Sequence, residues 1–149
     1  MRLRLLEVAG VQPGMRVLDL ACGPGTTSRL LALRASPGGV VIGFDLAPGM
    51  VYANRSPSTP NVSFAVMDIE SLAPSDASFD VAVCGHGFQL VPDLARSPAE
   101  ARRVLRPVRT LSASVPATAF EEEATEAVRR KHHRVITTHK RTFVLRAAA

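Results

Sequence analysis

The sequence predicts an α/β domain built on a doubly wound, mostly parallel sheet. Three observations predict it. Strand-length apolar runs alternate with segments of helical composition, the pattern of βαβ units. A glycine turn, Cys22-Gly23-Pro24-Gly25, joins the first apolar run to a helix. Chemically suggestive residues then stand at the ends of successive strands: Gly23 and Gly25 after the first, Asp45 after the second, Asp68 after the third, Cys84 and Gly85 after the fourth. Ligands of doubly wound sheets bind beyond the carboxyl ends of the strands. Four ends in agreement are more specific than one glycine motif.

Residues 1–10 read as the end of an amphipathic helix, and Gly10-Val-Gln-Pro-Gly14 as a turn. The first strand is expected at 16–20. The helix after the glycine turn runs to about Ala35, with Thr26, Thr27 and Ser28 placed to cap it. Ser36-Pro-Gly-Gly39 breaks that helix. The second strand covers 40–44 and ends at Asp45. A short helix over 47–54 carries Pro48 near its start. Residues 56–61, rich in proline and serine, form a loop, 62–66 alternate as a third strand, and 71–78 are loop again. The fourth strand, 79–83, ends at Cys84-Gly-His-Gly87. A helix over 92–106 is interrupted near Pro98, with Leu94, Ala101, Val104 and Leu105 supplying much of its apolar side. A fifth strand is expected at 110–115, helical composition follows over 117–131, and 134–146 suits a β-hairpin turning near His139-Lys140.

The 149 residues suit one domain, 1–149, with a motif-bearing core at 8–115 and a C-terminal helix and hairpin at 116–149. A chain of that size buries about 70% of its unfolded surface, enough for a single core. No run of 18 apolar residues occurs, so no membrane insertion is expected. Met1-Arg-Leu-Arg-Leu-Leu is too short, and too quickly interrupted by Glu7, for a secretory signal. Cys22 and Cys84 make no disulfide framework. Free thiols in a cytoplasmic protein are the expectation. The net charge of +5 is uneven: residues 1–95 hold 6 basic and 8 acidic side chains, and 96–149 hold 12 and 5. A basic third suits nucleic acid or an acidic membrane. Because no aromatic residues interleave to stack on bases, a solvated arginine-rich surface is the simpler reading, and nucleic acid is not expected as a partner.

The glycine turn narrows the ligand. Gly23 and Gly25 lack a Cβ, so the backbone turns sharply and a ligand can approach it. Asp45 stands 20 residues past Gly25, where an acid can hydrogen-bond a ribose. A dinucleotide site needs G-x-G-x-x-G, and Ala21-Cys-Gly23-Pro-Gly25-Thr26 lacks the first and third glycines. A strand–turn–helix with no ligand is the plain alternative, and the spaced Asp45 argues against it.

Val17-Leu-Asp-Leu-Ala-Cys-Gly-Pro-Gly25 resembles the D-x-G-x-G-x-G motif of class I S-adenosylmethionine (SAM)-dependent methyltransferases, with Ala21 at the first glycine. Gly43-Phe-Asp-Leu-Ala-Pro-Gly-Met50, Met67-Asp68, Phe79-Asp-Val-Ala-Val-Cys84 and Arg103-Val-Leu-Arg-Pro107 extend the resemblance over most of 8–106. It is most similar to the small-molecule branch, the methyltransferase type 11 domain, that includes the ubiquinone and menaquinone biosynthesis C-methyltransferases. The resemblance implies a Rossmann-like fold, SAM as cofactor, and methyl transfer to a small-molecule acceptor. It also implies roles. Asp19, Ala21, Gly23 and Gly25 would border the methionine part of SAM. Asp45 would accept both ribose hydroxyls, and Leu46 and Met50 would pack on the adenine. Asp68 would accept from the adenine amino group, and the Ile69 N–H would reach a ring nitrogen. The carbonyl of Cys84 would accept from the methionine ammonium. If the strand order is that of the family, Cys22 and Cys84 would sit near each other at the rim of the site.

Each role has a plainer counterpart. Asp19 could simply anchor the glycine turn, Asp45 cap a strand end, Asp68 cap the next turn, and Met50 belong to the core. His86 is the candidate general base for an acceptor that holds its proton tightly, against a loop histidine without chemistry. His132, His133 and His139 carry no expected metal site. Three departures from the family stand out. Pro107-Val108-Arg109 replaces the usual Gly-Gly, so the turn there must differ. Gln89 and Leu90 stand where relatives often carry histidines. The ends are short, leaving the site open to water, so a homodimer contact or a partner protein would cover it. The alternatives are a non-catalytic or truncated SAM-binding protein that needs a partner, a nucleic-acid methyltransferase, and an NAD-dependent oxidoreductase. The second lacks its Asn/Asp-Pro-Pro-aromatic run at Cys84-Gly-His-Gly87, and the third lacks its glycines.

Overall fold

The computed structural model describes residues 2–54, 59–114, 134–138 and 142–146. In chain order the elements are α1 (Arg2–Ala9), β1 (Arg16–Leu20), α2 (Thr26–Ala35), β2 (Val40–Asp45), α3 (Pro48–Ala53), β3 (Val62–Val66), β4 (Phe79–Gly85), a 3-10 turn (Phe88–Leu90), α4 (Arg96–Val104), β5 (Leu105–Ser114), β6 (Arg134–Thr138) and β7 (Thr142–Arg146). The strands form one sheet in the order β3-β2-β1-β4-β5-β7-β6. β1 to β5 pair in parallel, and β7 runs antiparallel to both of its neighbours. The doubly wound, mostly parallel expectation holds. So does the pairing of the two C-terminal hairpin strands; the turn expected near His139-Lys140, the helix expected at 117–131 and residues 55–58 lie outside the described residues.

Strand alternation divides the core between two faces. Val17, Val41, Val81 and Val83 pack with Leu5, Leu6 and Ala9 of α1 and with Leu31, Ala32 and Ala35 of α2. Leu18, Leu20, Ala82, Cys84 and Leu111 point the other way, onto Ile69, Leu72, Phe88, Ala101 and Val104. Asp19 has the parity of Val17 and so faces α2. At the far end of the sheet, Asp80 accepts from the Arg16 N–H (2.9 Å) and from Arg106 Nη1 (2.7 Å), tying β1, β4 and β5 together.

Four local expectations need correction. Gly25, in the left-handed region at φ 68°, occupies the N-cap of α2, and no side chain caps it. The cap needs a backbone conformation that glycine adopts most cheaply, so Thr26, Thr27 and Ser28 fall inside the first turn instead. Pro98 does not interrupt α4; it sits in the first turn, where its missing N–H has no intrahelical partner to lose. Leu94 precedes that helix and is 41% exposed, so it is no part of the apolar side. β5 begins at Leu105 rather than 110, directly after α4. Its pairing with β4 jumps from Phe79↔Leu105 to Val81↔Thr110. The chain absorbs the missing Gly-Gly turn as a bulge, and Arg106 and Arg109 of that bulge both reach Asp80.

Candidate functional site

The glycine turn is held from three sides. Ala21, Gly23 and Gly25 all have positive φ (52°, 53° and 68°), and for alanine this conformation costs about 1 kcal/mol. From β2, Asp45 Oδ2 accepts from the Gly23 N–H at 2.8 Å and Oδ1 accepts from the Ala47 N–H at 2.9 Å. From the end of α3, Asn54 Nδ2 donates to the Gly23 carbonyl at 2.8 Å. From β3, Phe64 Cζ stands 2.7 Å from where a Cβ on Gly25 would be, so only glycine fits there without a shift. A Cβ on Gly23 would meet nothing within 4 Å. That side of the turn faces open space.

The open space is a cleft of about 330 Å³ over the ends of β1, β4 and β5. Asp19 lies in it, 1% exposed. Burial pushes its carboxyl up to about 7; the hydrogen bond from Ser28 Oγ (2.5 Å) opposes this and the nearby Asp45 charge adds to it. Thr26 and Thr27 supply one wall, at the N-terminus of α2. Gly85, His86 and Ser114 supply another. The His86 N–H donates to the Ser114 carbonyl at 2.8 Å, and Gln89 Nε2 donates to the His86 carbonyl at 2.7 Å. Leu5 closes the cleft from α1, whose position is fixed by a Ser112 Oγ bond to the Leu5 carbonyl (3.2 Å).

The structure therefore brings Asp19, Ala21, Gly23 and His86 together around one cleft. Gly25 caps α2 in the same turn and Cys84 lies on β4, while Asp45, Leu46, Met50, Asp68 and Ile69 lie on the β2–β3 side. Asp45 joins the two parts through Gly23, and its carbonyl accepts from the Met67 N–H at 3.0 Å. Leu46 and Met50 are 67% and 46% exposed, so Met50 is not a core residue. Asp68 Oδ1 accepts from the Glu70 N–H at 2.8 Å, so part of its carboxylate closes the following turn. The Ile69 side chain packs in the core beneath. The thiol positions need correction. Cys22 lines the cleft, but the Cys84 side chain is fully buried in the core, because strand alternation turns it away from the α2 face. Both thiols are free, and burial pushes each up to about 12, which suppresses the thiolate.

Four participants went unread in the sequence. Ser114 ends the fifth strand, and extending the strand-end rule by one strand would have flagged it. Leu5 was legible only as helix core. Ser28 was read as a cap, and Asn54 carried no signal at all. Leu5 of α1 reaches the cleft and covers part of it. Among the described residues no helix is long and apolar enough to cross a membrane, and no group of three His, Cys, Asp or Glu could hold a metal ion.

This arrangement suits a nucleotide-bearing ligand with a polar tail. A backbone cradle opens into a polar cleft, and a carboxylate and two exposed apolar side chains stand beside it. Comparison with known proteins defines the class. A methyltransferase domain model matches residues 17–108, and the chain belongs to that family. It is a class I SAM-dependent methyltransferase domain, and SAM is the family's methyl donor, which sets the dinucleotide alternative aside. It is 43% identical over 105 residues to an uncharacterized 37.1 kDa protein in transposon TN4556 of Streptomyces fradiae, covering 69% of this chain and 30% of that protein. It is 34% identical over 107 residues to the 2-phytyl-1,4-naphtoquinone methyltransferase of Trichormus variabilis, covering 68% and 47%. It is 36% identical over 108 residues to the nocamycin O-methyltransferase of Saccharothrix syringae, covering 70% and 39%. The chain thus spans under half the length of these relatives. A SAM-dependent methyltransferase structure from Aquifex aeolicus shares the fold, with a TM-score of 0.81 at 19% identity over 97% of this chain and 87% of that one. A structure of the Haloferax volcanii Trm112 methyltransferase activator in complex with a methyltransferase matches at a TM-score of 0.69 and 30% identity, over 87% of this chain and 56% of that one.

Proposed function

We propose that this chain binds SAM across the glycine turn and methylates a small-molecule acceptor. One observation carries the reading: the Asp19 cleft and the Asp45 carboxylate flank the same turn, joined by the Gly23–Asp45 bond. When bound, SAM supplies a methyl group on a sulfonium; the acceptor's nucleophilic atom bonds to that methyl as its bond to sulfur breaks, leaving S-adenosylhomocysteine (SAH). The chain's own task is to hold and align. Ala21, Gly23, Gly25 and the Cys84 carbonyl border the amino-acid end, beside the N-terminal end of α2, whose dipole favours a carboxylate. Asp19 offers negative charge to an ammonium. Asp45 still has acceptor capacity on both oxygens after its two backbone bonds, which suits ribose hydroxyls. Leu46 and Met50 offer exposed apolar surface to an adenine, and Asp68 and the Ile69 N–H border its edge. His86, in the cleft wall, would take the acceptor's proton where that proton is tightly held. The naphthoquinone and nocamycin enzymes act on small molecules by name, which supports this acceptor class. The motif-bearing core and the hairpin strands share one sheet, which supports a single domain, and the free thiols suit a cytoplasmic setting.

A second reading has one observation in its favour. The similar Haloferax volcanii chain is held by an activator protein, so a partner, or a second copy of this chain, completes the acceptor side. Calorimetry separates the readings. SAM and SAH should bind and NAD should not; NAD binding without SAM binding sinks the proposal. Turnover with a panel of phenols, quinones and amines, read as SAH released, supports the catalytic reading. Binding without turnover across that panel favours the partner-dependent one.

A further inference from the structure

Asn54 directly follows α3 and has none of the roles above. It is 3% exposed. Its Nδ2 donates to two carbonyls, those of Gly23 and Met50, each at 2.8 Å. Both partners are acceptors, so they fix which way the amide points. Its Oδ1 is buried with no hydrogen-bond partner, and it occupies the space that a Cβ on Gly25 would take. One side chain thus meets both glycines of the turn and the last turn of α3.

Packing alone does not account for an amide here. A buried acceptor without a donor is unfavourable, and an apolar residue would fill the space without that cost. What an apolar residue could not supply is the pair of N–H bonds. Those bonds join Gly23, on the cleft, to the backbone of Met50, on the exposed apolar side. The Gly23 backbone also takes side-chain bonds from Asp45 of β2 and, at 3.8 Å, from the adjacent Cys22 thiol, and neither of these ties it to α3.

We propose that Asn54 is a positioning residue that locks the glycine turn to α3, presetting the spacing between the amino-acid and adenine ends of the cofactor site. The proposal rests on the SAM reading above. Asn54 touches neither end of the cofactor; it acts through Gly23 and Met50. A site held in its bound form loses less freedom when the ligand arrives. A ligand spanning both ends should feel that benefit, and a fragment filling one end should not.

The test compares SAH with adenosine in calorimetry on the wild-type chain, Asn54→Ala and Asn54→Leu. Asn54→Leu keeps bulk while removing the donors. Both variants should bind SAH at least tenfold more weakly, yet bind adenosine within twofold of wild type. Unchanged SAH affinity in Asn54→Leu shows that bulk suffices and overturns the proposal. Equal weakening of SAH and adenosine marks a general loss of α3 and also overturns it. Should neither variant fold, the wild-type chain decides by nitrogen-15 NMR. The Asn54 side-chain NH₂ pair should exchange slowly with solvent before any ligand is added, because both N–H bonds are already made, and should stay protected with SAH; a pair that exchanges freely until SAH is added overturns the role. A wild-type chain that binds neither ligand overturns the SAM reading itself. A variant equal to a wild type that does bind overturns the role of Asn54 alone.

Discussion

Asp19 is the residue whose chemistry depends most on its surroundings. Burial beneath the cleft pushes its carboxyl from 3.8 to about 7, against the Ser28 bond. A carboxyl raised on folding stays protonated in the folded state where the unfolded chain has already lost the proton. Stability therefore falls as pH rises from about 4 to about 7, and the loss persists above that window. Three pKa units correspond to at most about 4 kcal/mol. Asp19→Asn keeps an acceptor for Ser28 and removes the titration. Its thermal unfolding should show a flatter pH dependence across that window than wild type, and equal or higher stability at pH 8. A steeper dependence would assign the buried charge elsewhere. The same group predicts a ligand effect. An ammonium in the cleft favours ionised Asp19, which is about half protonated at pH 7, so SAH binding near pH 7 should release up to about half a proton. Calorimetry in buffers of different ionisation heat reads this directly, and a buffer-independent enthalpy would remove Asp19 from the ammonium. Asp45→Ala should weaken SAH by a few kcal/mol, because ribose hydroxyls and the Gly23 N–H all lose an acceptor. Unchanged affinity would take Asp45 out of the site.

Among the elements, α4 shows how far local pattern reaches. The strands β1 and β3 match their sequence readings at 16–20 and 62–66, because alternation and glycine breaks act locally. The start of β5 was hidden, because its register depends on Arg106 and Arg109 meeting Asp80 across the chain. Burial pushes the Asp80 carboxyl up, but the Arg16 N–H and the two arginines overcome this and hold it below the ordinary aspartate value. The seat of α4 was equally hidden. Glu100 accepts from Arg103 Nε at 2.8 Å and from the Leu72 N–H at 2.8 Å, and Arg103 also donates to the Leu72 and Pro74 carbonyls and to Asp76. Arg103 lowers the Glu100 carboxyl to about 2, with the Leu72 N–H assisting against burial. A carboxyl lowered on folding contributes stability above its unfolded value, about 4.5, and loses it as pH falls toward 2. Glu100→Gln should therefore cost on the order of 1–3 kcal/mol at neutral pH, a difference that shrinks on acidification. Chemical denaturation at pH 7 and pH 3 measures both. An equal loss at the two pH values would mean the carboxylate charge is not what seats the helix.

At the scale of the whole molecule, the sheet is the device that gathers the site. Residues as far apart in sequence as Leu5, Asp19, His86 and Ser114 meet over its carboxyl ends, while Asp45 ends β2 and Asp68 follows β3. That is why the strand-end residues were legible: winding order alone delivers them to one edge. Leu5 and Asn54 were not, because helix packing rather than strand order brings them in. The same geometry makes a global prediction. A ligand that bridges β1, β2 and β4 binds the folded sheet and has no site on the unfolded chain. Saturation at a hundred times the dissociation constant then adds about 2.7 kcal/mol. For a domain of this size that corresponds to a rise in Tm of roughly 5–11 °C. Scanning the chain with SAH, adenosine and NAD should give that rise with SAH, a smaller one with adenosine at equal concentration, and none with NAD. Hydrogen exchange should show the added protection at the Ala21–Gly25 turn and the carboxyl ends of β1, β2 and β4, with the Asp80 end of the sheet changing only as global stability does. Protection centred instead on the Arg106–Arg109 bulge would place the ligand at the wrong end of the sheet and overturn the assignment of the cleft.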